Sequence, residues 1–189
     1  MAYTKVFSEF EVKKIGIKFE GETAFESADC VGSMEDTATV KTVSKKCRGV
    51  ETKTRSRGTG AGEIALSIHM PYDMYVKMFG MEDDSLKDGV VAYGEDSLHP
   101  VFSITELVED EDGNEKLKAY PNCTMKEAPK VSVKNGDEEV AEIECTISYS
   151  PDHYGKGMYE VVTADAKDQD MISKWMDAFT TELVRITSA

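Results

Sequence analysis

Gly58-Thr59-Gly60-Ala61-Gly62 opens the stretch 58–124 whose order decides the fold. It runs into a strand-like Glu63 to Met70, then Pro71-Tyr72-Asp73 at the head of a short helix. Asp88-Gly89-Val90-Val91, His99-Pro100-Val101 and an acidic hairpin follow. The glycines permit tight backbone turning, and Pro71 can begin a helix because its missing N–H has no partner to lose there. Such an order predicts a sheet with one short helix inserted, a building block rather than a catalytic scaffold. A phosphate cradle is the competing reading of the glycines, but such cradles follow a strand and open a helix, and here a strand follows them. Gly58, Gly60 and Gly62 are therefore expected to form a hinge between a hairpin and the core.

On the N-terminal side, Phe10 and Val12, then Ile15, Ile17 and Phe19, alternate with polar residues and change phase at Lys13-Lys14, as a bulged strand would. Residues 20–36 have no sustained period and are expected to form a loop with a short helix. From Thr37 to Arg57 almost every second residue is Thr, Val or Ser, and Gly49 lies where a two-stranded ribbon could reverse. That long polar hairpin has too few apolar residues to support itself, so it should gain order by lying on another subunit.

On the C-terminal side, the helix from Pro71 to Phe79 should end at Gly80, with a strand over Gly89 to Tyr93. Val101 to Thr105 and Lys116 to Tyr120 flank Asp110-Glu111-Asp112-Gly113-Asn114, whose Asp-Gly pair predicts a hairpin with an acidic tip. Strands are expected over Lys130 to Lys134 and Glu139 to Tyr149, separated by Asn135-Gly136-Asp137, and over Gly157 to Val162. Met171, Ile172, Trp175, Met176, Phe179, Leu183 and Ile186 recur at helical spacing. They predict an amphipathic helix over 169–186, capped by Asp168 or Asp170 and packed on the sheet or on a neighbour.

With 189 residues, 40% of them hydrophobic, the chain can bury one core, so 1–189 is expected to be a single domain. No run reaches the roughly 20 apolar residues of a membrane helix, and the N-terminus lacks a secretion signal's apolar core. The expectation is a protein made and folded in a cytoplasm. Cys30, Cys47, Cys123 and Cys145 form no C-x-x-C pair, and His69, His99 and His153 accompany no nucleophile motif. No catalytic residue, metal site or cofactor is expected. The acids around Glu109 to Asp112 lack calcium-loop spacing and read as a solvated tip.

Charge is the other informative feature. A formal net charge of −14 argues against wrapping nucleic acid by phosphate neutralisation. Yet Lys41, Lys45, Lys46, Arg48, Lys53, Arg55 and Arg57 stand against Glu51 alone, so residues 41–57 carry +6 and the remainder −20. Residues 82–116 hold twelve acids against Lys87 and Lys116. The basic segment could contact DNA or match the acidic surface of an adjacent copy, and complementarity within one molecule favours the second. Glu82, Asp83, Asp84, Glu109, Asp110, Glu111 and Asp112 are the candidate counter-charges or lumen-facing acids.

In this order of elements, residues 58–163 resemble the major tail tube proteins of long-tailed bacteriophages. The resemblance is carried by Gly60-Ala61-Gly62-Glu63-Ile64-Ala65-Leu66-Ser67 and by Met70-Pro71-Tyr72-Asp73 with Met78-Phe79-Gly80. Lys87-Asp88-Gly89-Val90-Val91-Ala92-Tyr93-Gly94-Glu95, His99-Pro100-Val101-Phe102-Ser103-Ile104 and Glu142-Ile143-Glu144-Cys145-Thr146-Ile147 continue it. It implies a mainly β subunit, an antiparallel sandwich or barrel, that assembles with itself into rings of six. Stacked rings would make a hollow tube in a virion tail, synthesised in the bacterial host cytoplasm. Tape measure and tail terminator proteins would be partners, with no membrane, and DNA would pass through without specific binding. Related tubes occur in contractile tails, phage-tail-like bacteriocins and secretion needles. The C-terminal helix and the basic hairpin match no motif of the family. A β-rich binding module that holds an acidic ligand is the reading from another class.

Overall fold

The computed structural model describes residues 3–136 and 140–186. The chain is mainly β and antiparallel. Its strands are β1 (Glu9–Phe19), β2 (Glu26–Ala28), β3 (Cys30–Cys47), β4 (Val50–His69), β5 (Phe102–Asp110), β6 (Glu115–Met125), β7 (Ile143–Tyr149) and β8 (Tyr159–Val162). They form one sheet in the order β2-β1-β5-β6-β7-β4-β3, with β8 added to β6. The sheet curls until β1 lies alongside β3, which is the barrel-like form of the two expected.

Alternation explains the interior. Ile15, Ile17 and Phe19 of β1 point inward with Ile64, Leu66 and Ile68 of β4, Phe102 and Ile104 of β5, and Ile147 of β7. The register of β1 against β5 slips between Val12 and Lys14, the predicted bulge. Helix α1 (Tyr72–Met78) joins the same core through Met74, Met78 and Phe79, and Gly80 ends it at φ 59°. Pro71 itself stands just outside the helix at ψ 143°.

Helix α2 (Gln169–Ala178) covers the outer face of the sheet, where Trp175 and Phe179 pack on Leu117 and Ala119 of β6. Asp168 caps it by accepting from the Met171 N–H at 3.1 Å, as the sequence predicts. The helix is shorter than expected. Phe179 turns extended at ψ 133° ahead of Thr180-Thr181, and 181–184 form turns, so Ile186 is left 96% exposed.

Other expectations are corrected. Residues 20–36 hold no helix: they contribute β2 and the start of β3, because Ser27 and Ala28 pair with β1 and Cys30 to Asp36 pair with β4. Gly89 to Tyr93 is not a strand: the Val90 N–H closes a turn on the Lys87 carbonyl and the Ala92 N–H reaches the Met81 carbonyl, each at 3.0 Å. Lys130 to Lys134 shrinks to one bridge, Val131 with Ile143. The next strand begins at Ile143, while Asp137 and Glu139 lie outside the described residues. At 89–93 and 130–134 the β-forming residues lack a ladder to join, whereas 26–36 have one.

The glycine hinge is corrected too. β4 runs unbroken through Gly58, Gly60 and Gly62, with a register slip against Ala38 to Val40. Gly60 takes φ 78°, and a Cβ at Gly62 would run into the Tyr149 ring and the Thr37 carbonyl. These glycines make a bulge and a close packing contact where the hairpin leaves the body.

Candidate assembly surfaces

Beyond the body, β3 and β4 continue together as a free-standing ribbon in which every residue from 37 to 59 is exposed. Arg48 and Gly49 close it with φ 50° and 82°, the pair of left-handed residues that a tight two-residue hairpin requires. Eleven residues at roughly 3.3 Å each carry the arm about 35 Å from the body. The predicted hairpin is therefore present, and its strands extend into the barrel at both ends.

Register sorts its side chains. Lys41 lies opposite Arg57, Val43 opposite Arg55 and Lys45 opposite Lys53, so five cations share one face. The other face pairs Thr42 with Ser56, whose hydroxyls bond at 2.8 Å, and Ser44 with Thr54. Lys46 follows a bulge and faces Glu51, and Arg48 occupies the turn. Like charges placed directly opposite weaken a ribbon. This one carries two such pairs and has no core of its own.

The sheet is also left open. Among the described residues, β3 pairs only with β4, so its second edge is bare from Cys30 to Cys47. Among the described residues β4 has a second partner, β7, only from Gly62 to Ile68. Unpaired edges of this length are templates for another strand.

The acidic candidates fall at opposite ends of the body. Glu82, Asp83 and Asp84 follow α1, and Asp83 accepts from the Ser85 N–H at 2.8 Å. Glu109, Asp110, Glu111 and Asp112 are at the β5–β6 tip. Asp110 is buried and occupied within its own turn, accepting from the Asp112 and Asn114 N–H groups at 3.0 and 2.8 Å. Glu109 faces Lys13 at 3.4 Å. Glu111 and Asp112 are exposed.

A polar cluster inside the barrel is absent from the sequence-based candidates. Glu106 of β5 is 2% exposed, and its Oε2 is buried without a hydrogen-bond partner among the described residues. Nearby, the Lys118 ammonium meets Glu9 at 2.8 Å and Asp36 at 3.9 Å. Lys116 meets Glu9 at 3.0 Å, and the Tyr120 hydroxyl donates to Asp36 at 2.8 Å. Burial pushes Glu106 up to about 7; Lys118 opposes this, while Glu9 and Asp36 add to it. Burial would also raise Glu9, but hydrogen bonds from Lys118 and Lys116 outweigh it and hold that carboxyl below its ordinary range. The cluster borders a cleft of about 550 Å³ between the Glu9–Lys13 part of β1 and the Cys30–Asp36 part of β3. An inward position on β5 is the signal that could have singled out Glu106, since Ile104 and Val108 flank it on the same face.

His99 and His153 have structural contacts. His99 bonds the Met125 carbonyl through Nδ1 at 3.0 Å and Tyr93 through Nε2 at 3.1 Å, and His153 lies 3.5 Å from Glu182. Burial pushes the thiols of Cys123 and Cys145 up, the latter to about 12. Among the described residues no group of His, Cys, Asp or Glu is arranged to hold a metal ion. No described helix is long and apolar enough to cross a membrane.

No family model matches the chain, and no curated protein matches it significantly. Among solved structures it is similar to a chain of the anti-feeding prophage tube-terminating cap (TM-score 0.47, 12% identity, 86% of this chain and 100% of that one). It is also similar to a chain of the sixfold-symmetrised anti-feeding prophage baseplate (0.44, 7%, 86% and 98%). Hcp1 of Flavobacterium johnsoniae is a third such structure (0.40, 10%, 78% and 94%).

Proposed function

We propose that this chain is a structural subunit that polymerises with itself into stacked rings around a hollow bore, a tail tube that serves as a conduit for DNA. The carrying observation is the bare edge of β3, continuous from the barrel into an arm that has no packing partner among the described residues of its own copy. Joining such edges between copies removes the exposed ladder that a monomer would have to protect. Six copies per ring, a place in a phage virion tail and neighbours such as tape measure and tail terminator belong to this proposal. So does the absence of catalysis. A net charge of −14 suits the role, because acidic walls repel phosphates and let DNA slide. The tube of a phage-tail-like bacteriocin or secretion needle uses the same features.

Negative-stain electron microscopy of the concentrated protein tests the proposal: rings or filaments with a central bore are expected, and dispersed globular particles at every concentration contradict it. The five-cation face of the arm favours one second reading, a non-polymerising module for an acidic ligand. For that module, monomeric or a small oligomer, the sedimenting mass would stay low as concentration rises.

A further inference from the structure

We propose that the cleft between β1 and the body half of β3 receives the cationic arm face of a second copy, with one arm cation seated on the free Oε2 of Glu106. This deepens the assembly proposed above and rests on it. Three observations converge on the cleft. Its walls are two strand edges unpaired among the described residues: β1 is bare from Glu9 to Lys14, because β2 pairs only with Ile15 to Ile17, and β3 is bare from Cys30 onward. Five carboxylates against two lysines line it. Both lysines are already engaged, Lys13 with Glu11 and Glu109, and Lys118 with Glu9 and Asp36. At its inner end the buried Glu106 oxygen has no donor among the described residues.

A buried carboxylate oxygen without a partner is costly, and a cationic donor is the chemistry that satisfies it. Among the described residues no acid cluster is arranged for a metal ion. The seven arm cations make no ion pair with described residues of their own copy, and five of them share a face. The arm thus has unpaired positive charge on an extended edge, and the cleft has unpaired negative charge between two open edges. Loop 82–96 and the tip at 109–112 lack that combination, since neither presents a groove bounded by free strand edges.

The test couples carboxylates to lysines with a zero-length carbodiimide in assembled protein. Equal parts of isotopically light and heavy chain allow intermolecular products to be recognised by mass spectrometry. Lys41, Lys45, Lys46 or Lys53 of one copy is expected to couple to Glu9, Glu11, Asp29 or Asp36 of another. In parallel, Glu106→Gln is expected to raise the critical concentration for assembly about tenfold without lowering the thermal midpoint of the unassembled chain. Arm lysines coupled only to residues 82–96 or 109–112 in intact polymers overturn the cleft and leave the tube standing. So does a Glu106→Gln critical concentration within twofold of the original. Wild-type protein that never assembles overturns both.

Discussion

Trp175 and Lys118 join the two faces of the sheet: the indole Nε1 donates to the Lys118 carbonyl at 3.0 Å on the outer side, while the Lys118 ammonium reaches Glu9 at 2.8 Å on the inner side. One residue of β6 therefore anchors α2 and holds the interior cluster in place. Trp175 and Lys118 are almost wholly buried, so the indole bond meets little competition from water, whereas the Glu9 carboxylate of the second contact is partly exposed.

That arrangement predicts unequal effects at Trp175. Trp175→Ala empties a core position and is expected to cost about 3–5 kcal/mol. Trp175→Phe keeps much of the packing and loses only the indole bond to a carbonyl that stays in the β6 ladder, at about 0.5–1.5 kcal/mol. Urea unfolding of the unassembled chain measures both, and equal losses would refute the role given to the indole N–H.

Glu106 predicts a pH dependence with a defined sign. Its folded pKa, raised by burial to about 7 from 4.5, means the native state keeps a proton that the unfolded chain has released. Its contribution to stability is therefore greatest below about pH 4.5 and falls as pH rises to about 7, by roughly 3 kcal/mol in full. Glu9 acts in the opposite sense: its depressed pKa contributes stability above the ordinary carboxyl range that is lost on acidification. In Glu106→Gln, the decline in thermal midpoint between about pH 5 and 8 should flatten while the acid-side loss remains. An unchanged decline in the variant counts against the assignment.

Gly62 and Gly58 should separate packing from permissiveness. Ala at Gly62 meets the Tyr149 ring and the Thr37 carbonyl, whereas Ala at Gly58 meets open space. The first is expected to lose about 1–3 kcal/mol through overpacking, and the second to stay within about 1 kcal/mol of the parent. Thermal denaturation of the two single variants is sufficient to decide.

What the sequence made legible follows from how local each signal is. Asp112-Gly113 and Gly49 marked real turns because a left-handed residue is needed there whatever surrounds it, and the phase change at Lys13-Lys14 marked a real bulge because alternation is a property of one strand. Gly89 to Tyr93 and Lys130 to Lys134 failed because β-propensity says nothing of whether a neighbouring strand is in reach. The helix was drawn through Thr180-Thr181 because Leu183 and Ile186 happened to keep the period. The basic hairpin was visible as charge, but its division into a cationic and a hydroxyl face needed the register Lys41 with Arg57. Glu106 stands among twelve acids of the 82–116 stretch: its alternation with Ile104 and Val108 marks an inward position, but only the curl of the sheet places it beside Lys118.

The cationic face predicts opposite effects on folding and assembly. Replacing Lys41 and Lys45 by Gln removes two like-charge pairs and should leave the folded chain unchanged or steadier by about 0.2–1 kcal/mol. Assembly should weaken at low salt and respond less to ionic strength between about 0.05 and 0.5 M. Pelleting assays across salt give the critical concentrations. A variant that assembles as well as the parent, with the same salt response, contradicts the charge-matching account.

Amide hydrogen exchange over Cys30 to Cys47 is the most direct measurement of the central claim, that neighbours complete this sheet. Dilute unassembled chain should exchange its outward-facing β3 amides fast, and assembled protein should protect them strongly. β3 amides that exchange equally fast in both samples would contradict it.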